Sequence, residues 1–600
     1  MGVADSHLVF EGARVFDGRG GPSRIAHVRV REGRVVTISD EALAPEGAKV
    51  IDARGQWLMP GFLDTHTHYD AELLAAPGLE ESVRHGVTTV TVGSCSLSTI
   101  YCNPQDCGDL FSRVEALPRE FVVDTLERLK DWDDPESYIR AVESLPLGPN
   151  ISAMIGHSDM RVAAMGLGAS VDPKARPSES QMKQMLGMLD DALDAGFIGL
   201  STMTNPWDKL AGDRFRSSQL PSSYATWREY RRFNRRLRQR DAVLQSAPNI
   251  TTKVNVLLYW AESLGWGRKP LKTALITAAD IKAEPFIVGL ITRVSDFLNR
   301  RGADLRWQTL PTPFEVYADG IDLVVFEEFG AGQAALHLKN GPDRDALLRD
   351  PAYRKWFKRN YNAKFTPRVW HRDFYDAQIV ECPDDSVVGK SIGQVADERG
   401  QHPVDAFLDL VLEHHPGFRW RTTIANHRPD VHRDTLQRDC VQLGFADSGA
   451  HLRNMAFYNF PLYLLRMAHR AEGGGPAFMS VERAVYRLTG ELADWYGLDT
   501  GELREGARAD LTLINPDALD ERIEAYHEAA MPGCPGVDRM VKRNDETVTA
   551  TVVGGRLVWH EGAFCEGFGR SFGSGVFLRA KHARASGGTR SPSRSDAAAA

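Results

Sequence analysis

The feature that most constrains the fold is a series of eight short apolar runs, separated by longer segments with a helical pattern. The runs are GFLDTHTH (61–68), GVTTVTVGSC (86–95), NISAMIGHSDMR (150–161), GFIGLSTMTN (196–205), AVLQSAPN (242–249), TALITAADIK (273–282), ADLRWQTLP (303–311) and VQLGFADSG (441–449). Alternation of strands and helices indicates a parallel sheet, and eight repeats at this chain length fit a (β/α)8 barrel. We therefore predict an α/β fold with a TIM-like barrel over residues 61–498.

The interval between the seventh and eighth runs is too long for a loop, because it covers about 130 residues. It includes HPVDAFLDLVLEHH at 402–415, a pattern typical of a helix. We predict an inserted subdomain at about 313–440, near the mouth of the barrel.

The two ends of the chain have a sequence pattern that differs from that of the predicted barrel. Residues 1–60 and 499–580 contain short segments rich in β-branched residues and broken by glycine, such as AHVRVREGRVVTIS and VTATVVGGRLVWHEG. We predict that the two ends form one small β-sandwich domain. The last residues, 581–600, are rich in Gly, Ser, Arg and Ala and are predicted to be disordered.

Composition narrows the class of protein. The 600 residues are 42% hydrophobic and 25% charged, with a net charge of −8, so nucleic acid and anionic membranes are poor candidates as partners. Neither a signal peptide nor an apolar run long enough for a membrane helix is recognised. The seven cysteines are an odd number without a CxxC pair, which predicts reduced thiols in a cytoplasmic enzyme. The sequence leaves open whether the protein forms a homo-oligomer.

Residues suited to metal binding stand at the ends of four of the predicted strands. His66 and His68 close the first run, and their i, i+2 spacing puts both on one face of a strand. Cys95 closes the second run, His157 lies in the third and Asp447 in the eighth. Strand ends meet at one mouth of a barrel, and imidazole, thiolate and carboxylate groups are all zinc ligands.

Each of these residues also has an ordinary interpretation. An HxH pair alone can be two surface histidines, and Cys95 can be a small buried apolar side chain. His157 can be a core histidine that hydrogen-bonds to the backbone. Asp447 can be a turn former before Ser448 and Gly449. Their joint position at four strand ends favours the metal-binding interpretation.

The order of these motifs resembles the amidohydrolase superfamily, and more narrowly the N-acyl-D-amino-acid deacylase (D-aminoacylase) group. MPGFLDTHTH resembles the group's entry to the barrel. GVTTVTVGSCS resembles its second strand, in which a cysteine replaces the carboxylated lysine of many relatives, and GFADSGAH resembles its catalytic aspartate strand. IGHSDMR resembles a Gly-His-x-x-x-Arg strand, and VERAVYRLTGELADWYGLDTGELREGARADLTLINPD the closing helix and the return to the β domain. The resemblance covers about residues 1–580.

The resemblance implies a set of site residues. Asp447 would be the general base and then the general acid, and His66, His68, Cys95 and Asp447 would bind one or two zinc ions. For substrate binding it implies three positions, of which the two cations would hold a substrate carboxylate: His157, Lys282 and Arg453.

The chain departs from the group in two strands. The fifth strand normally ends in a zinc-binding histidine, but here Gln245 is the nearest match. The sixth normally supplies a second histidine before a lysine; Lys282 is present, but Ala278, Ala279 and Asp280 occupy the histidine region. The better supported metal site is therefore that of the two histidines of the first strand and Asp447, with Cys95 near or bridging.

Three functions remain open on the sequence. The first is a metal-dependent hydrolase that deacylates an N-acyl-D-amino acid or a related small amide. The second is a single-metal hydrolase of another or a cyclic amide, favoured by the lost imidazoles. The third is a relative that binds a ligand without catalysis, because a fold alone does not settle function.

Overall fold

The computed structural model describes residues 6–249, 252, 254–363 and 366–583. Most of the predicted disordered tail, residues 584–600, lies outside the described residues. No helix in the described part of the chain is long and apolar enough to cross a membrane.

The chain begins with strands of a mainly antiparallel sheet. In order these are β1 (His7–Val15), β2 (Arg24–Arg31), β3 (Arg34–Ser39), β4 (Lys49–Asp52) and β5 (Trp57–Pro60).

Seven parallel strands and the helices that connect them follow. The strands are β6 (Phe62–Asp64), β7 (Val87–Val92), β8 (Asn150–Gly156), β9 (Gly199–Met203), β10 (Val243–Ala247), β11 (Lys272–Ile276) and β12 (Asp304–Gln308). The helices are α1 (Glu72–Ala75), α2 (Glu80–Arg84), α3 (Pro104–Glu115), α4 (Arg119–Leu129), α5 (Pro135–Glu143), α6 (His157–Met165), α7 (Leu167–Ser170), α8 (Glu179–Ala195), α9 (Trp227–Arg240), α10 (Val254–Ser263) and α11 (Ile287–Asn299). A 3-10 turn covers Pro221–Tyr224.

Local sequence explains these elements. β7 reads VTTVTV and is buried at every position, as a strand covered on both faces requires. α8 begins with a capping box between Ser178 and Gln181 and ends at Gly196, whose φ of 101° suits the left-handed cap.

The inserted segment between the seventh and eighth barrel strands has its own sheet and core. Its elements are β13 (Phe314–Asp319), β14 (Gln378–Glu381), β15 (Arg419–Ala425), α12 (Gly330–His337), α13 (Pro342–Arg349), α14 (Pro351–Tyr361), α15 (Ile392–Arg399), α16 (Pro403–His414) and α17 (Pro429–Leu436), with 3-10 turns at Val324–Glu328, Phe374–Asp376 and Asp385–Val387. The strands pair antiparallel in the order β13-β15-β14. A separate apolar cluster, built around Phe326, Phe407 and Trp420, lies wholly within this segment.

The eighth strand, β16 (Val441–Gln442), completes the barrel sheet in the order β16-β12-β11-β10-β9-β8-β7-β6. Only two residues of the predicted eighth run form a regular strand. After them, Gly444 O accepts a hydrogen bond from Thr65 N–H, and Ser448 forms an isolated β-bridge with Thr67, so the eighth run is joined to the first. Three helices follow: α18 (Phe460–Glu472), α19 (Val481–Leu488) and α20 (Gly490–Tyr496). The predicted α/β barrel fold is confirmed.

The last strands return to the first sheet. They are β17 (Leu511–Ile514), β18 (Tyr526–Ala530), β19 (Asp538–Lys542), β20 (Val548–Val553), β21 (Arg556–His560) and β22 (Ala563–Phe564), with 3-10 turns at Pro516–Ala518 and Glu521–Glu524. One sheet runs β22-β21-β20-β17-β5-β1-β2-β3, with β4 paired to β1, while β18 and β19 form a separate hairpin. Val35 of β3 also hydrogen-bonds to Gly506 and Ala507, so the sheet curls back toward β17.

Candidate metal centre

The first-strand histidines lie on a short loop that is held from both sides. β6 ends at Asp64, after which Thr67 N–H donates to Thr91 O at 3.2 Å and His68 N–H donates to Ser448 O at 2.7 Å. His66 and His68 are both buried, with ring centroids 5.5 Å apart. The loop therefore fixes two imidazoles side by side at the mouth of the barrel.

Cys95 and Asp447 approach the histidines from left-handed backbone. Their φ angles are 51° and 56°, a conformation that costs a non-glycine residue free energy and is often found at functional sites. Asp447 N–H donates to His66 O at 3.2 Å. Before Cys95, the chain turns at Gly93, where a Cβ would lie 2.1 Å from Met154 O. Only glycine fits that turn.

The four side chains converge on one point. His66 Nε2 lies 3.4 Å from Cys95 Sγ and 3.4 Å from Asp447 Oδ1. His68 Nε2 lies 3.3 Å from the same Oδ1. The ligand atoms of His66, His68 and Cys95 all lie within 4.8 Å of one another. Among the described residues, these three form the one group of this kind.

Neighbouring side chains orient His66. Its Nδ1 lies 3.0 Å from Gln308 Oε1, an acceptor, so the ring proton belongs on Nδ1 and the Nε2 lone pair faces the cluster. Phe445 packs edge-on against the same ring at 4.8 Å. Gln308 ends β12 and Phe445 follows β16, so the direction of the lone pair is set by the seventh and eighth strand ends of the barrel.

Electrostatics divide the cluster into a carboxylate paired with one imidazole, Asp447 with His68, and two groups that favour the neutral form, His66 and Cys95. Burial raises the pKa of Asp447, but the hydrogen bond with His68 and the charge of the nearby imidazoles outweigh it, so its pKa lies well below the usual range. Burial lowers the pKa of His66 to about 4, against the opposing effect of Asp447. Burial raises the pKa of the Cys95 thiol well above its usual value. Burial lowers the pKa of His68, but the hydrogen bond and the charge of Asp447 outweigh it and raise that pKa, so Asp447 is the anion of the set and His68 is its cationic partner.

A cavity of about 680 Å³ is lined by residues near the cluster, although none of the four cluster residues lines it. His451, four residues after Asp447, lines it together with Asp208 and Lys209 from the loop after β9. Burial raises the pKa of Asp208 to about 6. Lys209 has no carboxylate within ion-pairing distance among the residues that the structure describes.

These cavity residues were not predicted from the sequence. Asp208 and Lys209 follow the fourth apolar run within a few residues, in the kind of loop that carries barrel sites, but no motif marks them. His451 stands in the stretch GFADSGAH, which was interpreted only for its aspartate.

His157 lies directly after the third barrel strand, as the third run predicts, but its side chain contacts a neighbouring helix. β8 ends at Gly156, and His157 is the first residue of α6. Its Nε2 lies 2.8 Å from Glu229 Oε1, and Arg161 donates to the same carboxylate at 2.6 Å. All three side chains are buried. His157 is thus engaged in a buried ion network between α6 and α9, and its role in substrate binding stays a prediction.

The two cations predicted to hold a substrate carboxylate are already paired. Lys282 Nζ lies 2.7 Å from Asp376 of the inserted segment. Arg453 binds Asp319 at 3.0 Å and also contacts Glu528. Their role in substrate binding likewise stays a prediction, and the geometry favours interdomain ion pairs.

The fifth and sixth strands carry no imidazole where the resemblance would expect one. Gln245 is fully buried; its Oε1 accepts from Cys95 N–H at 3.4 Å, and its Nε2 has no hydrogen-bond partner in the described structure. Asp280 forms a bidentate pair with Arg428. These two side chains do not form a second metal site, because Gln245 is an uncharged amide and the charge of Asp280 is neutralised by Arg428.

The donor set at the first site does fit a divalent ion. Two imidazoles, a thiol and a carboxylate are the ligand types that zinc prefers. His68 Nδ1 is buried without a hydrogen-bond partner among the described residues, while its Nε2 contacts Asp447 Oδ1, so this ring lacks the acceptor at Nδ1 that Gln308 provides for His66. A cation would also relieve the cost of burying an ionised Asp447.

Comparisons with known proteins found relatives that match nearly the whole chain and relatives that match part of it. No protein-family model matches the chain. An uncharacterized protein of Mycobacterium tuberculosis is 51% identical over 577 residues, which cover 94% of both chains. An N-acyl-D-aspartate deacylase of Alcaligenes xylosoxydans xylosoxydans is 37% identical over 203 residues, 34% of this chain and 37% of that enzyme.

Solved structures share the whole architecture. An N-acyl-D-glutamate deacylase from Bordetella bronchiseptica, complexed with zinc and a phosphonate inhibitor, has a TM-score of 0.63 at 21% identity and covers 96% of this chain and 99% of that one. A D-aminoacylase described as having a binuclear metal centre has a TM-score of 0.60 at 20% identity and covers 95% and 99%. The fold is therefore that of these deacylase structures. The chain belongs to the same family as the mycobacterial protein, and over about a third of its length it is similar to the N-acyl-D-aspartate deacylase.

Proposed function

We propose that the protein is a metal-dependent amidohydrolase that cleaves the amide bond of an N-acyl-D-amino acid or a related small amide. The observation that carries the proposal is the convergence of His66, His68 and Cys95 on Asp447, with two imidazole nitrogens within 3.4 Å of one carboxylate oxygen. The names of the N-acyl-D-aspartate and N-acyl-D-glutamate deacylases among the relatives support the substrate class.

The metal we propose is one zinc ion, held by His66, His68, Cys95 and Asp447. When bound there, zinc would polarise an amide carbonyl and make a water molecule acidic enough to attack it. Gln245 and the Asp280–Arg428 pair support a single ion, because these positions offer no free imidazole or thiolate for a second.

Asp447 is the proposed general base. Its low pKa keeps it ionised at neutral pH, so Oδ1 can accept a proton from the attacking water. The same proton is then available to the leaving nitrogen as the C–N bond breaks, and the products are a carboxylic acid and an amine. The backbone bond from Asp447 N–H to His66 O holds the carboxylate at the imidazoles through both transfers.

Lys209 is the proposed contact for a substrate carboxylate. It lines the cavity next to the cluster without a carboxylate partner in the described structure, whereas Lys282 and Arg453 are paired. A fixed cation beside the reacting centre favours an anionic substrate over an uncharged amide.

A second candidate is a single-metal hydrolase of another amide or a cyclic amide. Gln245 favours it, since a neutral amide at the fifth strand departs from the group that the sequence resembles.

The cytoplasmic location stays a prediction. All seven cysteines are free thiols in the structure.

The test is elemental analysis of protein equilibrated with zinc and then desalted, followed by a screen of N-acetyl-D-amino acids, their L enantiomers and cyclic amides. We expect one zinc per chain and hydrolysis of a D substrate that a chelator abolishes. Turnover of cyclic amides alone would favour the second candidate. Well-folded protein that retains no zinc and hydrolyses none of these compounds would contradict both.

A further inference from the structure

The loop that carries Cys95 is buried although it has no regular structure. It covers residues 93–103, between the end of β7 and the start of α3, and residues 94–100 are all buried. Cys95 and Ser96 have φ angles of 51° and 73°, so two consecutive non-glycine residues adopt left-handed backbone. Such backbone persists only where the surroundings hold it, and a buried loop must also find partners for its N–H groups away from water. The contacts of the loop therefore decide where the Cys95 thiol lies.

One carboxylate accepts hydrogen bonds from four residues of the loop after Cys95. It belongs to Asp159, the third residue of α6, which is fully buried. Its Oδ1 accepts from Cys102 N–H at 2.7 Å and from Tyr101 N–H at 3.1 Å. Its Oδ2 accepts from Ser98 O–H at 2.6 Å and from Ile100 N–H at 2.9 Å. We call this set of hydrogen bonds the Asp159 clamp.

The clamp suits a carboxylate and not an amide. All of its partners are donors, which matches the two acceptor oxygens of a carboxylate, whereas an amide would turn an NH2 group toward N–H donors. The basic residues of the same helix, His157 and Arg161, pair with Glu229 instead of Asp159. A buried carboxylate is costly unless hydrogen bonds satisfy it, and here the loop supplies them.

α6 also holds the loop at the residue next to Cys95. Ser158 N–H donates to Ser96 O at 3.0 Å, and the hydroxyl oxygens of these two residues are 2.8 Å apart. A Cβ at Gly156 would lie 2.5 Å from Ser96 O, so the loop packs directly against the start of α6. The backbone N–H of Cys95 itself makes a long hydrogen bond to Gln245 Oε1, at 3.4 Å. The position of the thiol therefore depends mainly on the contacts of the residues that follow it.

We propose that Asp159 is a positioning residue of the metal centre, which holds the loop so that Cys95 Sγ stays 3.4 Å from His66 Nε2. The inference rests on the ligand set proposed above. Asp159 acts through the loop, because the side-chain partners that the described structure gives it are loop residues and not the four proposed ligands. Without the clamp, the thiol leaves the ligand set while the two histidines and Asp447 still hold the ion.

The test replaces zinc with cobalt(II), whose bond to a thiolate sulfur gives a charge-transfer band in the near ultraviolet. One equivalent is added to the metal-free full-length protein, and Cys95→Ser gives the spectrum without that bond. We expect Asp159→Asn to bind cobalt but to lose the sulfur band down to the level of Cys95→Ser. Loss of a group that orients a metal ligand typically costs about 10–100-fold in metal affinity, so the cobalt dissociation constant should rise by about 10-fold or more.

The matched control is Glu328→Gln in the inserted segment. The side chain of Glu328 is also a buried carboxylate, and it accepts from Val369 N–H at 2.9 Å and from Trp370 N–H at 2.8 Å. Its replacement should leave the sulfur band and the cobalt affinity as in the wild type. Ser98→Ala is a milder variant that removes one bond of the clamp, and we expect a partial loss of the band. Circular dichroism shows whether each variant is folded.

Four results would overturn the inference. A wild type without the sulfur band would remove Cys95 from the ligand set, and the proposed metal centre would fail with it. A folded Asp159→Asn with the wild-type band and affinity would remove the positioning role alone. An equal loss in Glu328→Gln would assign the effect to general destabilisation. If Asp159→Asn does not fold, an unchanged band in Ser98→Ala would exclude the clamp.

Discussion

At the scale of single residues, the candidate metal centre combines two histidines that are neighbours in the sequence with an aspartate that is distant in the sequence. His66 and His68 share their loop, whereas Asp447 lies in the segment after the eighth strand. The sequence was sufficient to predict this group, because histidines, cysteine and aspartate at strand ends must meet in a barrel. It could not predict that Lys282 and Arg453 are paired, since Asp376 and Asp319 come from an inserted segment whose packing no motif describes.

We expect the double variant His66→Ala/His68→Ala to lose its metal while remaining folded. The two imidazoles supply half of the proposed donor set, and a thiol of raised pKa with one carboxylate binds zinc weakly. Zinc per chain measured by elemental analysis, with circular dichroism as the control for folding, checks this. One ion per chain retained in the double variant would exclude this site.

Asp447→Asn keeps the shape of the side chain and removes the base. We expect most of the bound metal to remain, because the histidines still hold it, and turnover to fall by about two to four orders of magnitude. Paired measurements of kcat and zinc content separate the two roles. If kcat is nearly normal, Asp447 only shapes the turn that it begins with Ser448 and Gly449.

Lys209→Gln tests recognition of the substrate carboxylate. A charge-assisted hydrogen bond contributes about 1.5–3 kcal/mol, so we expect KM for an N-acyl amino acid to rise by about 10- to 150-fold, with little change for the matching primary amide. Lys339→Gln is the control, since Lys339 lines the same cavity but is exposed and paired with Asp213. Equal effects on both substrates would remove Lys209 from carboxylate binding.

At the scale of elements, α6 and α9 are joined by a buried ion network that no sequence pattern revealed. Glu229 of α9 accepts from Arg161, and His157 Nε2 contacts the same carboxylate. Despite burial, which raises it, the pKa of Glu229 is held below its usual value by His157 and Arg161. The ionised form of Glu229 is therefore favoured more strongly in the folded state than in the unfolded chain.

Glu229→Gln should destabilise the protein in a pH-dependent way. Removal of one partner of a buried pair costs about 3–5 kcal/mol. Since the folded pKa is lowered, the stabilisation by Glu229 is present above its unfolded value near 4.5 and decreases as pH falls below it. Urea unfolding at pH 7 and pH 4 should show a difference between wild type and variant that narrows at pH 4. A difference that is constant with pH would mean that charge is not responsible.

At the scale of the whole molecule, the inserted segment has a core of its own. Trp420 is fully buried in it and donates from Nε1 to Gly320 O at 2.7 Å. The length of the gap between runs predicted such a unit, but its antiparallel sheet and its ion pairs to the barrel depend on contacts that no local pattern encodes.

Trp420→Ala should destabilise this segment by about 3–5 kcal/mol and leave zinc content unchanged. Calorimetry should show an early transition that moves to lower temperature while the later transition of the barrel stays in place. Tyr375→Ala, at an exposed position of the same segment, is the control. If a single transition shifts as one unit, the segment does not unfold separately.

The joining of both chain ends in one sheet has a consequence for how the protein is made. β5 lies between β1 and β17, and Leu58 pairs with Leu513, so the first strands leave the ribosome about 450 residues before their partner. At about 5–20 residues per second, the wait is roughly 20–90 s. During that time β5 presents an unpaired hydrogen-bonding edge to solvent, which is the kind of edge that can pair with another chain and start aggregation.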